Sequence, residues 1–381
     1  MPARHNGRVL PELMIRRRTW PSLLAHHQRS LTVARRSSAP ADPPPAPPPP
    51  PVPAPAIDEA AQRRAREIEQ ELQLARDIQQ GLLLEAAPHL PGWEVTAISL
   101  PARDLGGDLY DFLPLASGKL GIMIGDVSGK GLPAALRMAV ARTVFRHEAR
   151  RNDSPAATLA AVNRGVLSEI PHGMVTMLYL QLEPHSGMVC CANAGHTFPV
   201  LVNDELRELE VTGLPLGVDS ESDYTELSAT IAPGESLLLY TDGLVEAECA
   251  GGEILGFERL AELVAAQPQR KPRALAATLV HEVRSWTSGV LSDDVTMVIL
   301  RRRLLDLTAE IRSVVADVIG NDRLEAVWET LFAGDIPADP EAWRELLPRL
   351  QAPAQAMLGR GLARELIQQI RLTLDDYRAL G

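Results

Sequence analysis

Carboxylates gather in this sequence where short apolar runs stop. The stretch PARDLGGDLYDFLPL, residues 101–115, sets Asp104, Asp108 and Asp111 around a Gly-Gly pair. Asp126 follows KLGIMIG and precedes VSGKG, Asp242 follows ESLLLYT and precedes Gly243, and Asp293 and Asp294 open DDVTMVIL. A strand that ends at an aspartate puts that carboxylate at the rim of its sheet, and several rims can meet although they are far apart in sequence. Clustered carboxylates repel one another unless cations neutralise them. An all-oxygen set suits magnesium or manganese, and no His or Cys cluster favours zinc or copper. Each aspartate taken alone also fits a strand-end turn or a helix cap, because Gly and Asp are the residues turns favour. Glycines beside them let backbone approach a ligand closely, which together with the repetition favours a metal site. Lys130 and His196 stand inside the same motifs without an assigned chemical role; His196, in NAGH, is expected to stabilise a turn.

The elements that must position these groups are legible as apolar runs. GKLGIMIGDV, MVTMLYLQLE, GMVCCANAG, TFPVLVND, ESLLLYTDG and DVTMVILRR are short, apolar and closed by Gly, Asn, Asp or a charged residue, as strands of a largely buried sheet are. Helices are expected over 132–150, 155–170, 257–266 and 273–287. They do not alternate one-for-one with the strands, so the fold class is α+β rather than a doubly wound parallel sheet.

The chain has 381 residues and a net charge of -11, which gives no electrostatic case for binding nucleic acid. No run of about 18 apolar residues occurs, so no membrane span is expected, and the three cysteines, without CxxC spacing, suit a reducing cytoplasmic setting. Residues 1–56 read as a disordered tail, basic and then Pro-rich. Residues 57–87 read as a linker helix whose stripe Ile68, Leu72, Ala75, Ile78 and Leu82 can pack on its own domain or pair two protomers as a short coiled coil. The pairing, a homodimer, is the expectation adopted. Residues 88–302 form the strand-rich domain. Residues 303–381 read as a small helical domain, with Asp339 and Pro340 as an N-cap and first-turn pair.

GGDLYDF, IGDVSGKGLPAAL, NAGHTFPVLV, GLPLGV, LLLYTDGLVEAE, GFERL and SDDVTMVILR follow one another between Gly106 and Arg301. In order and spacing they resemble the SpoIIE/RsbU branch of the metal-dependent (PPM, type 2C) protein phosphatases. The resemblance implies a β-sandwich of two antiparallel sheets flanked by helices, with two Mn2+ or Mg2+ ions at one end. It implies Asp108 as a metal ligand, Asp126 bridging both metals with the Val127 carbonyl beside it, and Asp242 and Asp293 completing the set. Asp126 and Asp242 would be central to catalysis; Asp111, Asp294 and Arg103 are weaker candidates. The reaction implied is hydrolysis of phosphoserine or phosphothreonine on a protein by a metal-activated water. An anti-sigma-factor antagonist is the substrate class suggested, in bacterial signalling. The alternative from another class is a non-catalytic dimeric scaffold that keeps the fold; the acids standing at every main metal position argue against it. A nucleotide cyclase of the Gly-Gly-Asp kind would rest on GGDLYDF alone.

Overall fold

The computed structural model describes residues 59–82, 87–170, 173–203, 206–266, 271–332, 334, 336–337 and 339–380. The tail expected over residues 1–56 lies outside the described residues. Side chains alternate faces along a strand, and here both faces are buried. On β4 (Val175–Leu182), Leu178, Leu180 and Leu182 enter one core while Val175, Met177 and Tyr179 enter another. This is why the strands read as continuous apolar runs in the sequence.

Two five-stranded antiparallel sheets result. The second sheet begins the chain with β1 (Trp93–Leu100) at its edge. The first holds β2 (Leu109–Pro114), β3 (Leu120–Val127), β4, β5 (Met188–Ala194) and β8 (Leu227–Thr230), in the order β2-β3-β4-β5-β8. The second sheet runs β1, β10 (Val295–Arg302), β9 (Ser236–Tyr240), β6 (Val200–Val202) and β7 (Leu206–Glu208). Tyr110, Phe112, Ile122, Ile124, Leu237, Leu239, Val298 and Leu300 fill the space between them. Helices α2 (Leu132–Glu148) and α3 (Pro155–Glu169) cover the first sheet through Met138, Phe145, Leu159 and Val162. Helices α4 (Gly256–Ala265) and α5 (Pro272–Trp286) cover the second through Leu260, Leu275, Leu279 and Val283. The α+β sandwich flanked by helices is thus the observed architecture.

Beyond the sandwich, α6 (Leu307–Ile319), α7 (Asn321–Leu331) and α8 (Pro340–Leu380) enclose a core of their own around Trp328, Phe332 and Trp343. Asp339 caps α8 by accepting from the backbone N–H groups of Glu341 and Ala342. Helix α8 is one run broken at Gly359, whose φ is 80°. This helical part is fastened to the sandwich by buried charges. Glu310 of α6 accepts from both Arg301 and Arg303 at the end of β10, which also pair with Glu94 of β1. Arg303 further pairs with Asp376 of α8 at 2.9 Å, and Lys271 with Asp317 at 2.6 Å.

At the other end of the chain, α1 (Glu59–Leu82) lies against α2. Of its apolar stripe, Leu72, Ala75 and Leu82 are half-buried while Ile68 and Ile78 stay exposed. Among the described residues no helix is long and apolar enough to cross a membrane.

Candidate metal centre

Strand register brings the acidic motifs to one rim. Leu100 pairs with Val295 and Met297 with Tyr240, so the loop after β1, the Asp293–Asp294 pair before β10 and Asp242 after β9 share one end of the second sheet. Leu109 pairs with Gly125, so Asp108, just before β2, lies beside Asp126 near the end of β3. The two sheets face each other, and their acidic rims meet.

The electrostatics record the meeting. Asp108 is almost fully buried, and its carboxyl is held well above the usual range, first by burial and then by Asp126 and Asp294. Asp126 is pushed up to about 7 by burial and by the charges of Asp242, Asp293 and Asp294. Asp242 is raised by burial and Asp293, with Lys130 pulling the other way. Carboxylates that protonate near neutrality for want of a counter-charge form a site that favours cations.

Glycine geometry explains the Gly-Gly pair. A Cβ on Gly107 would sit 2.8 Å from the Val127 carbonyl oxygen and 3.0 Å from Asp126 Oδ1. One on Gly106 would stand 2.7 Å from Asp294 Oδ2. The absent side chains let the Gly-Gly backbone pack against these oxygens, so GGD is part of the buried rim rather than an exposed surface turn.

The remaining candidates separate by their partners. Asp294 accepts from the backbone N–H of Ala102 at 2.7 Å and of Gly107 at 2.6 Å, so it ties down the loop that carries Asp108. Asp293 is half-exposed and pairs with Lys130 Nζ at 2.9 Å. Asp111 is not brought to the cluster. With Leu109 and Leu113 it points toward α2, fully buried, where Arg146 Nη1 donates to both its oxygens at 2.8 Å and Arg142 stands 3.1 Å away. Arg103 is exposed on the loop after β1. His196 is buried, its imidazole pushed down to about 4 by burial. Its backbone N–H donates to Asn193 Oδ1, and its carbonyl accepts from Asn193 Nδ2, which makes it a turn residue.

Two contributors escaped the sequence reading. Thr241 donates to Asp108 Oδ2 at 2.8 Å while accepting from the Thr296 N–H, so it orients the first carboxylate. Gln79 of α1 grips Gly106 through both backbone groups, donating to its carbonyl at 2.7 Å and accepting from its N–H at 3.2 Å. Thr241 stands next to Asp242 in YTDG, a cue of sorts; the Gln79 contact has no cue in the sequence.

Among the described residues no three His, Cys, Asp or Glu side chains close on one point as drawn. The donors nevertheless fit hard divalent cations: all are oxygens, no Cβ stands between the Gly107 backbone and the Val127 carbonyl or Asp126, and Asp108, Asp126 and Asp242 have no ion-paired base among the described residues. Asp293, at the solvent edge, is held by Lys130 and accepts from the Asp294 backbone N–H at 3.0 Å.

The family model of Stage II sporulation protein E (SpoIIE) matches residues 116–303. The match includes Asp126, Val127, Asp242, Asp293 and Asp294, and leaves Asp108, α1 and most of the helical part outside it. The chain is 28% identical to phosphoserine phosphatase RsbU of Bacillus subtilis, over 63% of this chain and 72% of that protein. It is 29% identical to Protein IcfG of Synechocystis, over 61% of this chain and only 41% of that one. Among solved structures the SiaA-PP2C domain of Pseudomonas aeruginosa superposes with a TM-score of 0.57 at 22% identity, covering 64% of this chain and 99% of that one. The RsbU and RsbW domains of a Mycobacterium tuberculosis protein give 0.51 at 28% identity, covering 73% and 77%. The two-sheet sandwich flanked by helices that the sequence resemblance implies is therefore present.

Proposed function

We propose that this protein is a metal-dependent phosphoprotein phosphatase of bacterial signalling that hydrolyses phosphoserine or phosphothreonine. An anti-sigma-factor antagonist is the substrate class its resemblance to RsbU suggests. The observation that carries the reading is the convergence of Asp108, Asp126, Asp242 and Asp293 on one rim around the Gly107 cradle. Asp108, Asp126, Asp242, Asp293 and the Val127 carbonyl would hold two Mn2+ or Mg2+ ions. When bound, such ions supply an acidified water and neutralise charge on the phosphoryl group. The protein's own part is to hold the ligands in place. Thr241 fixes the Asp108 carboxylate, Asp294 pins the 101–107 loop, and burial of Asp108 keeps water from competing for its oxygens. No nucleophilic Ser or Cys is required for this chemistry.

The reading includes a homodimer through residues 57–87. Ile68 and Ile78 remain exposed on α1, which supports pairing, although Leu72, Ala75 and Leu82 already lean on their own domain. The test of the function is manganese-dependent release of phosphate from a phosphoserine peptide. Turnover that persists in excess chelator, with metal shown to be absent, would overturn it.

A further inference from the structure

Lys130 lies outside every hydrophobic core of the described residues. It stands between Gly129 and Gly131, whose φ angles of 104° and 74° lie in the left-handed region that favours glycine. The backbone so wound turns the lysine from the end of β3 across to the opposite sheet. There Nζ donates to the Ser292 carbonyl at 2.6 Å and pairs with Asp293 Oδ2 at 2.9 Å. The Lys130 side chain is 39% exposed and that of Asp293 48%, so this pair contributes little to stability. What the contact does is place an ammonium at the solvent edge of the carboxylate rim.

We infer that Lys130 is a phosphate-positioning residue of this site, an inference that rests on the phosphatase reading above. An ammonium has three N–H donors. With Asp293 turned inward toward a cation, the Ser292 carbonyl remains as an anchor and the other donors face a non-bridging oxygen of the substrate phosphoryl group. A compact cation on a flexible stem suits that duty. The same ammonium competes with a divalent cation for Asp293, so its removal has opposite effects on metal and on phosphate. That opposition distinguishes the role from a structural one.

The experiment compares wild type, Lys130→Gln and Lys130→Arg by calorimetry and kinetics. Mn2+ is titrated into metal-free protein, then inorganic phosphate into the Mn2+-loaded protein, and KM is measured for a phosphoserine peptide. Lys130→Gln should bind Mn2+ at least as tightly as wild type, yet bind phosphate about tenfold more weakly with KM raised to match, through loss of one charge-assisted hydrogen bond. Lys130→Arg should recover part of the phosphate affinity. Unchanged phosphate binding and KM would overturn the role, as would a fall in Mn2+ affinity parallel to the fall in phosphate affinity, which marks a merely structural lysine. A wild type that turns over no phosphopeptide but binds phosphate in a Lys130-dependent way would sink the phosphatase reading and leave the lysine's role standing.

Discussion

At Gly107 a single missing methyl group holds the rim open. Alanine there would press on the Val127 carbonyl and on Asp126, at 2.8 and 3.0 Å, and backbone cannot swing away as a side-chain end can. Gly107→Ala is expected to cost about 1–3 kcal/mol of stability, as overpacking does, and to weaken Mn2+ binding. Thermal melting and Mn2+ calorimetry check the two effects separately. The carboxyl of Asp126 carries a second residue-scale expectation. Its folded value, about 7, lies above the ordinary 3.8, so the folded state binds the proton more tightly than the unfolded one. That contribution to stability is full below about pH 4 and is lost as pH rises through about 7. Metal-free Asp126→Asn should therefore melt higher than wild type at pH 8, by on the order of 2–4 kcal/mol, with the difference shrinking toward pH 4. Equal melting temperatures at both pH values would show that the carboxyl is relaxed. Asp126, Asp242 and the Asp293–Asp294 pair were legible as strand-end acids, and Asp108 only as part of the Gly-Gly-Asp stretch. The parting of Asp108 from Asp111 was not, because it depends on which of two closely spaced acids enters β2, and strand parity then turns Asp111 toward the arginines of α2.

At the scale of elements, apolar runs announced β3, β4, β5, β9 and β10 with bounds close to those observed, since strands buried on both faces leave an unbroken signature. β2 was hidden within the acidic stretch, and the short β7 and β8, with exposed alternate residues, lack an apolar run to betray them. Helix α1 was legible as a helix, but its hold on Gly106 was not: a side chain gripping backbone 27 residues away has no periodicity. That grip places α1 one residue from Gly107 and two from Asp108. Gln79→Ala should lower kcat severalfold while leaving the melting temperature within about a degree, surface changes being small in effect; unchanged kcat would show that the loop keeps its shape unaided. Burying a charge in the α1 seam is expensive, so Leu72→Glu is expected to be monomeric by light scattering if α1 pairs two protomers. A dimer with wild-type kinetics would mean that the helix serves only its own domain.

For the whole molecule, the helical part following β10 has a core of its own and is tied to the sandwich by buried ion pairs. Its apolar core could be read from amphipathic periods, but the burial of Arg301 and Arg303 against Glu94, Glu310 and Asp376 has no cue in the sequence, because Glu94 and Asp376 lie far from them along the chain. Burial alone would raise the Glu310 carboxyl, yet Arg301, Lys271 and Arg303 hold it below its ordinary range. Its stabilising contribution is thus present above the unfolded value and lost as pH falls. Glu310→Gln leaves two buried guanidinium groups short of an acceptor charge and is expected to cost about 3–5 kcal/mol, read as a lowered melting temperature at pH 7. A shift of less than a degree would show the helical part held by apolar contact alone.

The central claim, that these sheet-rim carboxylates bind the cations of a phosphoprotein phosphatase, is tested most directly by phosphate release from a phosphoserine peptide. Wild type and Asp126→Ala are compared with Mn2+ and in chelator, with folding verified by circular dichroism. Release should require Mn2+ in wild type and vanish in a folded Asp126→Ala protein. Wild-type release by Asp126→Ala, or release by wild type stripped of metal, would contradict it.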